Sequence, residues 1–236
     1  MASHSNTQLA LRLEQPTRGG ARAGAGRKKG KGHDAEHRLR PVHKGRHPVH
    51  VVLRVRRDVG RLRKGRVLRA LRRALLVVAG SHFERFRIVH MSIQHNHLHL
   101  LVEAAHKEAL SHGMQSFGIS AARAINRVQG RAGKVFAFRY HATALTSRRQ
   151  TRHALAYVLN NWRRHREDLE GVKQRRALVD PYSSGVLFDG WSVGPFRVPD
   201  DFVPLGVKPA QTWLLREGWR MYGAIDPREV PGDRVR

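Results

Sequence analysis

The sequence predicts an α+β fold: a ferredoxin-like antiparallel sheet of the split βαβ kind, with helices on one face and an added C-terminal helix that bears a tyrosine. Three observations predict it. Four segments have strand character, amphipathic segments at helical spacing separate them, and their order is strand, helix, strand, strand, helix, strand, helix.

The first strand is VHVVLRV, Val49 to Val55, with Val49, Val51, Leu53 and Val55 on one face and His50, Val52 and Arg54 on the other. Gly65 to Gly80 places Val67, Leu68, Leu71, Leu75 and Val78 at helical spacing and ends on a glycine. FRIVHMSIQ, Phe86 to Gln94, reads as the second strand, and HNHLHLLVE, His95 to Glu103, as the third. A tight connection near Gln94 to Asn96 makes these two an antiparallel pair. Lys107 to Gln129 is a longer helical stretch, weakened by Gly113 and Gly118. VFAFRYHATAL, Val135 to Leu145, supplies the fourth strand, with Phe138 expected in the core. The last core helix opens on Ser147 and Gln150, spaced as a capping box, and runs to about Arg166. Such a sheet carries helices on one face and leaves the other for a site or a partner.

Around this body lie two flanks. Residues 1–46 include TRGGARAGAGRKKGKG, Thr17 to Gly32, with almost nothing to bury, and are expected to form a disordered basic arm that tracks phosphates. Residues 47–167 form the expected core domain, and residues 168–236 an irregular extension in which TWLLREGWRMYGAI, Thr212 to Ile225, reads as a short helix with Leu215, Trp219 and Tyr222 on one side. Lys and Arg total 45 against 18 Asp and Glu, a formal net charge of +27. That excess favours polyanionic partners, nucleic acid above an anionic membrane surface. The chain has no cysteine, which excludes thiolate and disulfide chemistry. No apolar run is long enough to span a bilayer and the N-terminus lacks a signal-peptide core, so a soluble, cytoplasmic protein is expected.

The third strand carries the chemistry. Its period of two puts His95, His97 and His99 on one face and Leu98, Leu100 and Val102 on the other. Two imidazoles at alternate positions can hold one metal ion. The same strand also fits a histidine-triad nucleotide hydrolase, although Asn96 stands where that motif wants an apolar residue, and His97, His99 and Glu103 have a cupin's ligand spacing, although the helices argue against an all-β barrel. The last helix adds a second signal. Leu155, Val158, Leu159 and Trp162 form its apolar stripe; Tyr157 falls off that stripe with Asn161 one turn along beside it.

The strand HNHLHLLVE, the strand FAFRYHATAL and the helix YVLNNWRRH, in this order, resemble the single-tyrosine HUH transposases, the insertion-sequence-200-like enzymes and their relatives associated with repetitive extragenic palindromes. The resemblance covers Pro48 to Arg166. It implies that His97 and His99 are metal ligands and Tyr157 the nucleophile. Asn161 stands where the family has a polar ligand, often glutamine, with Asn160 as the fallback. It implies Mg²⁺ or Mn²⁺ as the metal, single-stranded DNA with a hairpin as the substrate, and a 5′-phosphotyrosine intermediate in DNA transposition. Arg54, His95, Arg139, His141 and Arg164 are expected to contact DNA. A phenol ionises only near pH ~10, so the tyrosine needs a neighbouring cation, the metal or Arg164. The resemblance leaves a homodimer open, since some relatives exchange the tyrosine helix, and equally leaves open a catalytically inactive or domesticated relative that only binds hairpin DNA.

Overall fold

A computed structural model describes residues 43–81, 84–194 and 202–232. Most of the predicted basic arm lies outside the described residues; its last part, from His43, is folded, with His43 Nε2 2.8 Å from the Ala104 carbonyl oxygen. Pro41–Arg236 form one compact unit, so the C-terminal extension belongs to the same body as the sheet. Among the described residues no helix is long and apolar enough to cross a membrane.

The chain runs β1 (Val49–Arg54), α1 (Gly65–Ser81), β2 (Phe86–Ile93), β3 (His97–Ala104), α2 (Lys107–Gln129), β4 (His141–Ala144) and α3 (Arg148–Arg164). The strands form one antiparallel sheet in the order β2-β3-β1-β4, the split βαβ arrangement. Register follows hydrophobicity. Val49, Val51 and Leu53 stand opposite Val102, Leu100 and Leu98, and all six are buried with α1 and α2 on one face. A slip of one residue would turn that set to the other face. Gly113 lets α2 approach closely: a Cβ there would lie 2.1 Å from the Phe86 ring. The glycine that weakens the helix by propensity is required by its packing.

The second face is only partly open. There α3 packs Leu155, Val158 and Leu159 of its stripe against Val89, Leu101 and the C-terminal extension, and Trp162 of the same stripe is fully buried. Ser147 Oγ caps α3 by accepting from Gln150 N at 3.2 Å, and Gln150 Oε1 returns a bond from Thr146 N at 2.9 Å. The extension adds α4 (Val172–Arg176), α5 (Trp213–Arg216) and 3₁₀ turns, with Phe188, Trp191, Trp219 and Ile225 at its centre. The helix expected over Thr212–Ile225 is two short turns broken at Glu217, whose backbone leaves the helical region, and the Trp213 ring lies over Gly218, where a Cβ would not fit. Tyr222 is half exposed rather than packed.

The fourth strand is shorter than expected. Between the Val52–His141 pair and the isolated Val55–Phe136 bridge, four residues (137–140) face two on β1 (53–54). The excess cannot stay in the ladder and is thrown out as a bulge. Phe138, expected in the core, sits on that bulge with 60% of its surface exposed.

Candidate active site

Because Val52 pairs with His99 and Arg54 with His97, the polar faces of β1 and β3 coincide beneath α3. The strand begins at His97, so His95 is in the hairpin turn and exposed, not in line with the other two. His97 Nε2 and His99 Nε2 are 2.9 Å apart. Asn161, fully buried on α3, places Nδ2 3.0 Å from His99 Nε2. Asn160 turns instead to the extension, donating to the Asp226 carbonyl at 2.8 Å. The Tyr157 ring stands edge-on to His99, centroids 5.1 Å apart, and 5.8 Å from the ring of His50. Tyr157 is half-buried, and among the described residues nothing hydrogen-bonds its hydroxyl.

The hydrogen bonds fix the tautomers. Asn96 Oδ1, 2.8 Å from His97 Nδ1, can only accept, so Nδ1 carries the proton and Nε2 the lone pair. Asn161 Nδ2 can only donate, so His99 Nε2 also carries a lone pair, and its Nδ1–H donates to His50 Nε2 at 3.1 Å. Burial, then the neighbouring His165 and Arg54, push His97 down to about 4. Burial, then His97, His50 and His165, push His99 down to about 2. His50 falls to about 4 by burial and then His141. All three rings are therefore neutral at physiological pH.

Two lone pairs thus converge with no proton between them, and the buried Asn161 Oδ1 accepts no hydrogen bond. Donors that share one cation lie about 3 Å apart. The His97 and His99 Nε2 lone pairs fit a divalent cation on these grounds; Asn161, whose Nδ2 rather than Oδ1 is the atom 3.0 Å from His99 Nε2, would supply its unpartnered carbonyl by turning its amide over. Among the described residues no group of three or more His, Cys, Asp or Glu side chains could do so; the set is two imidazoles and an amide. Glu103, on the same strand face, is committed elsewhere: its carboxylate accepts from Gln211 N, Thr212 N and Thr212 Oγ1 at 2.7–3.1 Å and holds the start of α5.

Two clefts meet at Tyr157. One, of about 660 Å³, is walled by Arg54, His95, His97, His99, Tyr157 and His165. The other, about 1070 Å³, is walled by His50, His99, His141, Arg152 and Tyr157 and by residues near the C-terminus. The expected DNA contacts divide accordingly. Arg54 and His95 line the first cleft and His141 the second. Arg139 is exposed on the bulge and lines neither. Arg164 lines neither cleft itself: its Nη1 donates at 2.8 Å to the carbonyl of Pro231, a wall of the second cleft, and so ties α3 to the extension.

Three participants were missed from sequence. His50 was readable as a histidine on the polar face of β1, but only the register shows that it backs His99. The other two are Arg63 and Glu167, which brace the turn before β3. Glu167 Oε1 accepts from His95 N at 2.8 Å, and Arg63, 3.3 Å from Glu167 Oε2, donates to the Ile93 carbonyl. Burial raises Glu167 to about 7 against the pull of Arg63. An acid held above its unfolded value of 4.5 binds its proton more tightly when folded, so its contribution to stability is lost as pH rises toward 7. Glu167→Gln keeps an acceptor for His95 N and cannot ionise. Thermal melting should show the variant gaining on the native protein by several degrees between pH 5 and pH 8; a constant gap would contradict this origin of the shift.

Comparison with known proteins follows the same residues. The family model described as "Transposase IS200 like" matches residues 44–161, half of the chain. The chain is similar to a solved structure described as "Structure of the REP associates tyrosine transposase bound to a REP hairpin", at 18% identity and TM-score 0.41, over 54% of this chain and 73% of that one. Curated proteins give no match.

Proposed function

Because the chain belongs to the IS200-like transposase family, we propose that it cleaves and rejoins single-stranded DNA, with Tyr157 as nucleophile and His97, His99 and Asn161 as holders of Mg²⁺ or Mn²⁺. The observation that carries this is the convergence of the two imidazole lone pairs, with the Asn161 amide against them, beside a tyrosine whose hydroxyl has no partner among the described residues. The net charge of +27 and the open clefts on both sides of Tyr157 support a polyanionic substrate, and the single-stranded form is part of the proposal.

A divalent cation held by His97, His99 and Asn161 would supply positive charge to the scissile phosphate as negative charge builds there. The chain's own groups do the rest. His50 and Asn96 hold the two imidazoles in the tautomers that expose Nε2. Helix α3, locked by its buried stripe, fixes Tyr157 relative to β3. The phenolic oxygen, its proton released to water, attacks phosphorus. The bond to O3′ breaks and the departing oxygen takes a proton from water, leaving a 5′-phosphotyrosine and a free 3′-hydroxyl. The phosphodiester's energy is kept in the tyrosyl ester, so reversal of the step on another 3′-hydroxyl joins strands without ATP.

Incubation of the purified protein with hairpin-bearing single-stranded oligonucleotides and Mn²⁺ should give a protein–DNA adduct that survives denaturing electrophoresis. Chelator should remove it. Adduct that persists in chelator overturns the metal's role, and binding without any adduct overturns the cleavage reading in favour of a DNA-binding protein.

A further inference from the structure

A third cleft, of about 870 Å³, adjoins the histidine cleft, and the two share Arg54, His95 and Asn96 as walls. Its other walls include Arg56, Arg57 and Phe138. The bulge before β4 holds Phe138 out of the core, 60% exposed. Its backbone is pinned on the N-terminal side: Arg56 N donates to the Val135 carbonyl and Ala137 N to the Arg54 carbonyl, both at 2.9 Å. The ring is therefore presented from a fixed tip, close to β1. Arg56 is neutralised by Asp58 at 2.9 Å. Among the described residues no acid pairs with Arg54 or Arg57.

An exposed aromatic face flanked by uncompensated guanidinium groups is the chemistry of a nucleotide subsite: the ring takes a base and the cations take phosphates. We propose that Phe138 stacks a base of the single-stranded DNA that runs out of the histidine cleft, while Arg54 and Arg57 hold the phosphates beside it. This rests on the reading of the histidine cleft as the place of cleavage. Stacking on a π-face tolerates any base, so the subsite secures the strand's path rather than its sequence. Continuity with the histidine cleft through Arg54, His95 and Asn96 places this base next to the scissile phosphate.

The test uses the full chain and two probes, an oligothymidine and a chain of equal length made of abasic nucleotides. Phe138→Ala should weaken oligothymidine binding by about 5- to 100-fold and leave the abasic chain unaffected, while Phe138→Trp should restore the preference. Arg57→Ala should weaken both probes alike and lower the salt slope by about 1. Equal losses on both probes with Phe138→Ala, or no loss, overturn the proposal. So does a loss of self-association in sedimentation with DNA binding unchanged. Failure of the cleavage reading looks different: the native protein then forms no adduct although its preference for bases over bare backbone is intact.

Discussion

Tyr157→Phe is expected to lower covalent adduct formation by at least about 10³-fold while leaving the fold and DNA affinity unchanged. The substitution removes one oxygen. The ring stays edge-on to His99 and His50, so the packing that orients α3 over the sheet is retained. No described group bonds the hydroxyl, so no buried partner is stranded and the melting temperature should stay within about 2 °C of native. His99→Ala provides the contrast. It also removes the adduct, but it leaves His50 Nε2 and the Asn161 amide without their partner in a buried layer, so it should melt lower. Denaturing electrophoresis with Mn²⁺ reads the chemistry, and thermal melting reads the fold. An adduct that survives in Tyr157→Phe places the nucleophile elsewhere.

The parts of this site that sequence makes legible are those with a local period. Alternation in HNHLHLLVE puts His97 and His99 opposite Leu98, Leu100 and Val102, and the structure has them so. The helical wheel separates Tyr157 and Asn161 from Leu155, Val158, Leu159 and Trp162 well enough to find the tyrosine. Yet Asn161 proves fully buried, because the β3 face completes its surroundings. What escapes is long-range. His50 acquires its role only through the register that stacks it on His99, 49 positions away. The fourth strand shortens because of a mismatch in residue number against β1, which no property of VFAFRYHATAL alone discloses. The extension forms half of a second core, largely from single turns and irregular chain; the helical reading of Thr212 to Ile225 does pick out Leu215 and Trp219 as buried partners, whereas Trp191 is legible only as an apolar residue.

Arg63→Leu is expected to cost about 3–5 kcal/mol, the largest stability loss of any single change near the site. Arg63 and Asp180 are both buried and meet in a bidentate pair at 2.9 and 3.0 Å. The guanidinium also lies 4.5 Å above the Tyr182 ring and 3.3 Å from Glu167 Oε2. One cation therefore serves two buried acids from a part of the chain more than a hundred residues away. Leucine fills much of the space but strands both carboxyls, and one or both must then take up a proton or leave. Asp180→Asn is the milder change, because Glu167 remains to balance Arg63. The sign of the pH dependence follows from this. With the cation gone, the folded-state values of both acids rise further above their unfolded values, so the variant's stability falls as pH rises and is partly recovered toward pH 5. For a unit of this size the loss corresponds to a melting temperature lower by roughly 10 °C at pH 7.5. The consequence reaches the chemistry through geometry. Arg63 holds the Ile93 carbonyl while Glu167 holds His95 N, and these two bonds frame the turn that delivers His97 to His99. Adduct formation by Arg63→Leu, measured well below its melting point, should therefore fall even where the protein remains folded. Native adduct rates in a folded Arg63→Leu protein would mean that β3 alone sets the histidine geometry and that the buried ion cluster serves stability only.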